Sequence, residues 1–323
     1  MEIFKSDKIY NFMGKRLPFL GLSSILVIAS LVLLLTKGLN FGIDFAGGTL
    51  IQVKYDKPAP IKDIRTILKG TEKYANSTIT EFGSVDEIVI RIKGTSSSLA
   101  NDVGDEISKV LKNTGNFEIR RVDMVGPKVG DELQEKGIMA LSLSLLVILA
   151  YVSFRFEWRF AVASIFALVH DVVIALGAIS LMSVEVNLDI LAAILTILGY
   201  SLNDTIIVFD RIREGVQKSK ESILNKVVNE SVSKTLSRTT LTSLTTFFVV
   251  VTLFMFGGEI IHGFAFTMLV GIIVGTYSSI FVAASFLVQL KFDIGNFRAK
   301  EADKVKQQKE KDKMRAMYEQ GTV

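Results

Sequence analysis

The sequence contains no cysteine and only two histidines, His170 and His262. The absence of cysteine excludes disulfide bonds, iron–sulfur clusters and thiolate zinc sites, and two histidines are too few for a histidine-rich metal centre. The phosphate-binding pattern G-x-x-x-x-G-K-[ST] is also missing, so no motif indicates ATP binding. We therefore expect a protein that functions without a metal ion or a cofactor.

Charge is absent from long stretches of the chain. The 323 residues are 49% hydrophobic with a mean hydropathy of +0.41, and the apolar residues cluster in runs. Several runs reach the ~20 residues that a helix needs to cross a bilayer, which excludes a soluble single-domain enzyme, a disordered chain and a nucleic-acid-binding protein. Hydropathy predicts six membrane-spanning helices. They cover residues 18–36, 137–154, 160–182, 188–209, 239–256 and 263–289.

The remaining charges are distributed unevenly between the predicted helices. Segments 1–17, 155–159, 210–238 and 290–323 together hold 22 basic and 13 acidic residues, whereas segment 37–136 holds 15 of each. Basic residues accumulate on the cytoplasmic side of membrane proteins. We therefore predict that both termini are cytoplasmic and that segment 290–323 is a charged cytoplasmic tail. Segment 37–136 is predicted to lie on the extracytoplasmic side of the membrane.

Segment 37–136 is predicted to contain one small folded domain. Between residues 49 and 127, strand-like and helical patterns follow each other in the order β-α-β-β-α-β, which is typical of a ferredoxin-like α+β sandwich. No catalytic grouping stands out there, so we interpret it as a binding or mechanical domain. The chain then divides into 1–36 with the first span, this domain at 37–136, a bundle at 137–289 and the tail at 290–323.

Apolar residues recur at helical spacing among the lysines of segment 210–238. Ile212, Val216, Ile223 and Val227 form one such series. The pattern predicts an amphipathic helix that lies along the inner membrane surface. The tail that follows the last span is expected to be solvated or to face lipid.

Asp171 falls at membrane depth, near the middle of the third predicted span and beside His170. Ala163, Ala167 and Ala175 share its helical face, and small residues allow helices to approach closely, so this face is expected to contact protein. A carboxylate at that depth costs ~2.5–3.5 kcal/mol or more, which makes a functional role the default interpretation. The alternative is that Asp171 only hydrogen-bonds neighbouring helices.

Asp204 is the second acid at membrane depth. It lies in the fourth span beside Asn203, on a polar stripe with Thr196 and Tyr200. The predicted spans contain no basic residue that would neutralise it. A buried carboxyl that gains and loses a proton near neutral pH is what a proton relay requires. The alternative is a neutral side chain that serves only in helix packing.

Two further charged residues lie near the cytoplasmic mouth of the predicted bundle. Arg238, at the start of the fifth span, shares a face with Thr242 and a following threonine, whose hydroxyls are expected to line water. From there Arg238 can approach Asp204 or Asp210. The alternative is an arginine that reaches lipid phosphate.

Small residues recur in the sixth span, where Gly271, Gly275 and Ser279 follow four-residue spacing. This spacing predicts close packing against a neighbouring helix and no chemistry of its own. The candidate functional residues therefore lie in the third, fourth and fifth spans.

Two motifs around the small domain resemble those of a known family. The run FGIDFAGGT at 41–49 is similar to the signature that opens the extracytoplasmic domain of SecD and SecF proteins, with Asp44, Gly47 and Gly48 at the motif positions. The run VGPKVG at 125–130 resembles the family's entry into its second span.

Four further segments resemble the SecF branch of that family. They are HDV at 170–172, GYSLNDT at 199–205, FDRIRE at 209–214 and SRT at 237–239. The resemblance covers about residues 14–290. It places Asp171, Asn203, Asp204, Asp210 and Arg238 inside family motifs.

The resemblance implies an accessory subunit of the Sec preprotein translocase in the bacterial inner membrane. It implies SecD, the SecYEG channel and YajC as partners, and an unfolded preprotein as the chain that is moved late and without ATP. The family belongs to the resistance–nodulation–division superfamily, whose members use the proton gradient. In this family the aspartate at the position of Asp204 and the arginine at the position of Arg238 are linked to proton passage, and Asp171 and Asp210 are candidates beside them.

Two other functions remain open. A proton-driven exporter of small molecules or lipids from the same superfamily is one, although such pumps commonly have larger outer domains and twelve spans. A non-transporting scaffold is the other, and it leaves Asp171 and Asp204 without a role. Protons and sodium ions are both compatible with these carboxyls.

Overall fold

The computed structural model describes residues 8–93, 100–219, 221, 223–290 and 292–319. Within these residues, six helices are long and apolar enough to cross a membrane. They are Met13–Thr36, Pro127–Arg155, Trp158–Met182, Leu188–Lys218, Leu224–Phe256 and Ile260–Gln289. The predicted polytopic helical architecture is confirmed.

Several helices extend past the bounds that hydropathy predicted. The second begins at Pro127 instead of residue 137, and the fourth ends at Lys218 instead of residue 209. The fifth begins at Leu224 instead of residue 239. Hydropathy marks only the stretch that is apolar on all sides, whereas the backbone hydrogen bonds of a helix continue into segments that are apolar on one face.

Helix α1 (Arg16–Thr36) leads to a short junction segment (residues 40–47) and then to a small domain (residues 48–125). The elements of these two parts follow in chain order. They are β1 (Asn40–Phe41), α2 (Ile43–Ala46), β2 (Gly48–Tyr55), α3 (Ile61–Gly70), β3 (Thr78–Phe82), β4 (Ser84–Lys93), α4 (Ala100–Val110) and β5 (Phe117–Val125). The second helix of the predicted β-α-β-β-α-β order corresponds to α4.

The small domain contains a four-stranded antiparallel sheet in the order β3-β4-β2-β5. The inner strand β2 places Ile51 opposite Ile90 of β4 and Val122 of β5. Helices α3 and α4 cover one face of the sheet, where Ile64 and Ile107 are completely buried with Ile51 and Ile90. This arrangement confirms the predicted ferredoxin-like sandwich, because the β-α-β-β-α-β order places the first strand in the centre.

The bundle follows the small domain. Its elements are α5 (Pro127–Arg155), α6 (Trp158–Met182), β6 (Glu185–Val186), α7 (Leu188–Lys218), α8 (Leu224–Phe256), α9 (Glu259–Ser278), a π-helical turn (Ser279–Ala283), α10 (Ala284–Gln289) and α11 (Ile294–Glu319). In their most apolar windows, α6, α7 and the α9–α10 segment are 56%, 50% and 61% buried, compared with 11% for α1 and α5 and 17% for α8. The interior is therefore formed by α6, α7 and α9.

A two-stranded parallel pair that the sequence did not predict connects the junction segment to the bundle. β1 pairs with β6, so that Asn40 lies opposite Glu185 and Phe41 opposite Val186. The N–H of Gly42 also donates to the carbonyl of Val186 at 3.0 Å. Strands of two residues are too short to produce a recognisable alternating pattern.

The structure contradicts the surface helix predicted within 210–238. α7 continues to Lys218 and α8 begins at Leu224, so the segment consists of two helix ends and a short connection. Most of its apolar residues, among them Val216 and Val227, are buried in the core between these helix ends, whereas Ile223 is exposed. Helical spacing was correctly identified, but the apolar face packs on a neighbouring helix, not on a membrane surface.

The start of α11 packs on the bundle and is not a solvated tail. Phe292 and Phe297 are buried in the core at the ends of α7 and α8. The guanidinium of Arg298 donates to three backbone carbonyls at the end of α7 and beyond it. They belong to Val216, Ser219 and Glu221, at 2.6, 2.6 and 2.8 Å. Beyond Glu301, the described side chains of α11 are exposed.

Candidate functional site

Asp171 lies on α6 and is completely buried. Its Oδ2 accepts hydrogen bonds from Ser201 of α7 at 2.5 Å and from Ser278 of α9 at 2.7 Å. Its Oδ1 lies 2.8 Å from Nδ1 of His170. The small residues on its helical face are buried as well. They are Ala163, Ala167 and Ala175. The face therefore packs against protein, as predicted, and Asp171 joins α6 to α7 and α9.

Asp204 lies on α7 and is 1% exposed. Its hydrogen-bonding partner is the hydroxyl of Ser243 on α8, 3.2 Å from Oδ2. Ser243 donates this hydrogen bond and accepts another, of 2.8 Å, from Thr276 of α9. No ion pair to Asp204 is found in the part of the chain that the structure describes. Its negative charge is therefore compensated by far fewer donors than the charge of Asp171.

Three consecutive residues of α9 contact both acids and a further helix. Thr276 donates to Ser243, which in turn contacts Asp204. Ser278 donates directly to Asp171. Between them, the hydroxyl of Tyr277 shares a 2.8 Å hydrogen bond with Ser23 of α1. The π-helical turn begins at the next residue, and such turns are frequent at functional sites. One segment of α9 therefore connects the surroundings of both carboxyls to α1.

Several buried polar atoms beside these residues have no hydrogen-bond partner among the described residues. They are Nε2 of His170 and the hydroxyls of Tyr200, Thr205 and Thr239. Buried polar atoms normally pair with protein groups or with ordered water. The helices that carry the two acids and Ser243 therefore also present free polar atoms that can bind water.

The structure places Arg238 and Asp210 away from the buried acids. Arg238 is exposed and forms no ion pair with Asp204 or Asp210 within the described ranges. Asp210 is also exposed, and its Oδ1 lies 3.6 Å from Nη2 of Arg155 at the end of α5. Asn203 is exposed as well, whereas its neighbour Asp204 lies on the buried face of α7.

The face of α8 that was predicted to line water is the wrong one. Thr242 shares a face with Arg238, but it is exposed and donates to the carbonyl of Arg238 in its own helix at 2.6 Å. The inward face instead carries Thr239 and Ser243. Their four-residue spacing is a signal that they share a helix face. Hydroxyl residues are so frequent from 239 to 246, however, that the pattern does not single out this face.

The close-packing face predicted for the sixth span is present. A Cβ added to Gly275 would lie 3.1 Å from Cβ of Ser201 on α7. The prediction that this helix has no chemistry of its own is wrong, because Thr276 and Ser278 contribute to the two acid sites. Both were visible in the sequence as polar residues within an apolar helix.

The signature residues Asp44, Gly47 and Gly48 lie where the small domain meets the bundle, away from the two buried acids. Gly47 and Gly48 have φ angles of +70° and +148°, in the region that favours glycine. Oδ2 of Asp44 accepts a 3.0 Å hydrogen bond from the backbone N–H of Leu188, the first residue of α7. The motif therefore connects the junction segment to the helix that carries Asp204.

The arrangement of the bundle is suited to binding a proton at a carboxyl group. Each buried acid is surrounded by hydroxyl or imidazole groups and by apolar helix faces. Over the described residues, no group of three or more His, Asp or Glu side chains is placed to hold a metal ion.

Two family models match the chain. The model described as "Protein export membrane protein SecD/SecF, C-terminal" matches residues 106–293, and the "SecD/SecF GG Motif" matches residues 32–59. The first covers more than half of the chain and contains Asp171 and Asp204. The second contains the junction segment.

Individual proteins are similar over most of the chain. Protein translocase subunit SecF of a Helicobacter pylori strain is 48% identical over 323 residues, which is 100% of each chain. The subunit of the same name from Vibrio alginolyticus is 46% identical over 291 residues, covering 90% of this chain and 92% of that one.

Solved structures show the same similarity. The crystal structure of SecDF, a translocon-associated membrane protein, from Thermus thermophilus matches with a TM-score of 0.80 and 35% identity over 90% of this chain. A second SecDF crystal structure, in a super-membrane-facing form, matches with a TM-score of 0.67 over 92% of this chain. The chain spans 40% of the length of each SecDF chain.

Proposed function

Because the chain belongs to the SecD/SecF family of protein export membrane proteins, we propose that this accessory subunit of Sec export couples proton flow to late translocation. It assembles with SecD and assists the ATP-independent movement of unfolded preproteins across the membrane. The observation that carries this proposal is the buried carboxyl of Asp204, which has one neutral donor and lies between three packed helices.

Asp204 is the group that binds and releases the proton. An ionised carboxylate only accepts hydrogen bonds, whereas a protonated one also donates. Protonation therefore removes a poorly compensated buried charge and changes the hydrogen bond to Ser243, which also bonds to Thr276. One proton that crosses a 100 mV potential releases ~2.3 kcal/mol, enough to shift a helix-packing equilibrium roughly 50-fold. The rearrangement reaches α8 and α9 directly.

Asp171 is the fixed member of the relay. Its hydrogen bonds from Ser201 and Ser278 join α6 to α7 and α9 at one point, about which α7 tilts when Asp204 changes its protonation state. The unpartnered hydroxyls of Thr205 and Thr239 bind the water through which a proton reaches Asp204.

Arg238 and Asp210 lie near the cytoplasmic mouth of the bundle. Together with SecD, they complete the relay. Charged side chains in membrane helices rarely face lipid. Arg238 and Asn203 are exposed on α8 and α7 of this chain, which supports a protein partner on that face. SecD is the partner that the family similarity supports.

The uneven charge distribution supports the orientation of this multi-pass membrane protein. Both termini lie in the cytoplasm of a bacterial cell, and the small domain lies outside the inner membrane. The SecYEG channel and YajC are neighbours of the assembly, and the preprotein contacts it on the outer side. The subunit performs no chemical catalysis of its own.

Replacement of the Asp204 carboxyl by an amide tests this function. Asp204→Asn keeps the shape and an acceptor for Ser243 but removes the exchangeable proton, so we expect normal assembly with SecD and loss of gradient-stimulated export. The assay is late-stage translocation in inverted membrane vesicles, with and without an imposed proton gradient. Asp204→Glu is expected to retain part of the stimulation because it keeps a titratable group.

The matched control is Asp56→Asn, which makes the same chemical change at an exposed position of the small domain. It is expected to retain more of the gradient response than Asp204→Asn. Full gradient-stimulated export by a correctly assembled Asp204→Asn variant would contradict the proposal.

A further inference from the structure

The helix that carries Asp204 begins directly against the junction segment. The first N–H groups of a helix have no partner within the helix, and its N-terminus carries a partial positive charge. Asn187 occupies the capping position of α7 but makes no capping hydrogen bond with its side chain. Asp44 supplies the carboxylate instead, since its Oδ2 accepts the N–H of Leu188 at 3.0 Å. A residue of α2 therefore holds the N-terminus of α7.

A second contact joins the small domain to the same end of α7. Arg91 lies on β4, and its Nε is 3.1 Å from Oε2 of Glu185 on β6, with about four-fifths of each side chain buried. Glu185 also lies opposite Asn40 in the β1–β6 pair. The hydrogen bond, the ion pair and the strand pair all attach within residues 185–188, immediately before or at the start of α7.

The end of the junction segment is packed closely against the small domain and against the start of α5. A Cβ added to Gly48 would lie 2.3 Å from the carbonyl oxygen of Ile92 on β4. A Cβ added to Gly47 would lie 2.9 Å from Cα of Pro127 at the start of α5. The backbone that directly follows α2 is therefore in close contact with the sheet and with α5, which leaves little space for α2 to shift alone.

The rest of the small domain is packed less tightly on the bundle. A cavity of about 690 Å³ separates the uncovered face of the sheet from the ends of the bundle helices. Its lining includes Gln52 and Val89 of the sheet and Asn187 and Gly263 of the bundle. The small domain can therefore tilt over this space when the contacts at residues 185–188 move.

α7 is one continuous helix from Leu188 to Lys218, and Asp204 lies within it. At 1.5 Å per residue, Asp204 is about 24 Å from the N-terminus of α7. We infer that Asp44 and the Arg91–Glu185 ion pair are the positioning residues that transmit movement of α7 to the small domain. This inference rests on the proposed function, because a proton at Asp204 must first move α7.

Two pairs of spin labels separate movement in the bundle from movement of the small domain. The chain has no native cysteine, so the labels attach only where cysteine is introduced. The bundle pair is Lys218→Cys, at the end of α7, with Lys234→Cys, in the first third of α8. The domain pair is Glu72→Cys with Met182→Cys, two exposed positions on the small domain and on α6. Distances are measured in liposomes that contain the chain assembled with cysteine-free SecD, with and without an imposed proton gradient.

Asp44→Ala is expected to abolish the gradient-dependent distance change of the domain pair and the gradient stimulation of export. The bundle pair should still respond, because Asp204 and its partners are unchanged. Asp44→Asn keeps an acceptor oxygen for the N–H of Leu188 and should restore the response of the domain pair. A full domain-pair response in Asp44→Ala would overturn the inference, and so would loss of the bundle-pair response.

The ion pair provides an independent test through charge reversal. Arg91→Glu is expected to reduce the domain-pair response, and the double variant Arg91→Glu with Glu185→Arg should regain it. Failure of the double variant to regain the response, in a folded and assembled protein, would overturn the role of this pair. A bundle pair that does not respond in the unmodified chain would overturn the proposed function, and the transmission that depends on it.

Discussion

Asp171 and Asp204 lie on neighbouring helices and are equally buried, but they are surrounded differently. The carboxylate of Asp171 has three partners at 2.5 to 2.8 Å, and these partners come from α6, α7 and α9. Among the residues that the structure describes, the carboxylate of Asp204 has one partner, Ser243, at 3.2 Å. A buried charge is tolerated where donors replace water. The number of donors, and not burial alone, therefore distinguishes a structural carboxylate from one that can change its protonation.

The largest difference is expected when each acid is replaced by a similar-sized apolar residue. Asp171→Leu leaves two hydroxyls and an imidazole buried without their acceptor, and at about 1–3 kcal/mol for each such group we expect the free energy of unfolding to fall by about 3 kcal/mol or more. Asp204→Leu breaks one long hydrogen bond and removes an uncompensated charge, so about 1 kcal/mol or less is expected. Thermal unfolding of both variants in complex with SecD measures the difference. Equal destabilisation would break the comparison.

A smaller effect is expected when one hydroxyl partner of each acid is removed. Ser243→Ala takes away the single donor to Asp204 and should reduce gradient-stimulated export about fivefold to tenfold, the equivalent of one hydrogen bond of roughly 1–1.5 kcal/mol. Ser201→Ala is the matched change beside Asp171 and should lower thermal stability while preserving the gradient response. Export and unfolding are measured on both variants. A larger export defect in Ser201→Ala than in Ser243→Ala would contradict the assignment.

The effect of Thr276 is expected to be smaller still, because it contacts Asp204 only through Ser243. Thr276→Val keeps the size of the side chain and removes the hydroxyl, and we expect gradient-stimulated export to fall about threefold. Thr252→Val is the control, since Thr252 is an exposed threonine that bonds to its own helix. Both variants are compared in the same vesicles. If they export equally well, the connection through α9 is not used.

The smallest effect concerns the small domain, which should not respond to pH in the neutral range. The hydrogen bond from Lys73, followed by that from Tyr74, lowers the pKa of Glu106 below its ordinary value. A lowered pKa stabilises the folded domain above the ordinary pKa of about 4.3, and this contribution is lost as the pH falls through the lowered value. The small domain also contains no histidine. Its stability should therefore be constant from about pH 8 to pH 5.

Urea unfolding of the full chain, followed with a fluorophore at Glu72→Cys, measures this pH profile. Glu106→Gln should change the profile only in acid and should leave the gradient response of the bundle unchanged. A loss of small-domain stability between pH 7 and pH 6 would show that a pH-sensitive group lies outside the bundle.

Much of the fold was predictable because its signals are local. Apolar runs marked the six spans, and alternation marked the strands of the small domain, since each depends only on a residue and its near neighbours in sequence. Helix ends were less predictable, because α7 continues to Lys218 and α8 begins at Leu224, in segments with charged outer faces. The β1–β6 pair depends on residues far apart in sequence and had no detectable pattern.

The candidate site was predictable only in part. Asp171 and Asp204 were found because acids are rare within apolar helices. Ser201, Ser243 and Ser278 were missed because a serine in a membrane helix commonly bonds to its own backbone, and periodicity does not show which neighbouring helix a face meets. The contact of Asp44 with Leu188 joins residues 144 positions apart, so only the folded arrangement reveals it.

The most direct test of the central claim is infrared difference spectroscopy of the chain assembled with SecD, recorded as the pH is changed. The carbonyl stretch of a protonated carboxylic acid reports which buried acid gains a proton. If Asp204 binds the proton, a pH-dependent band is absent from Asp204→Asn and present in Asp171→Asn. A band that persists in Asp204→Asn and is lost in Asp171→Asn would contradict this claim.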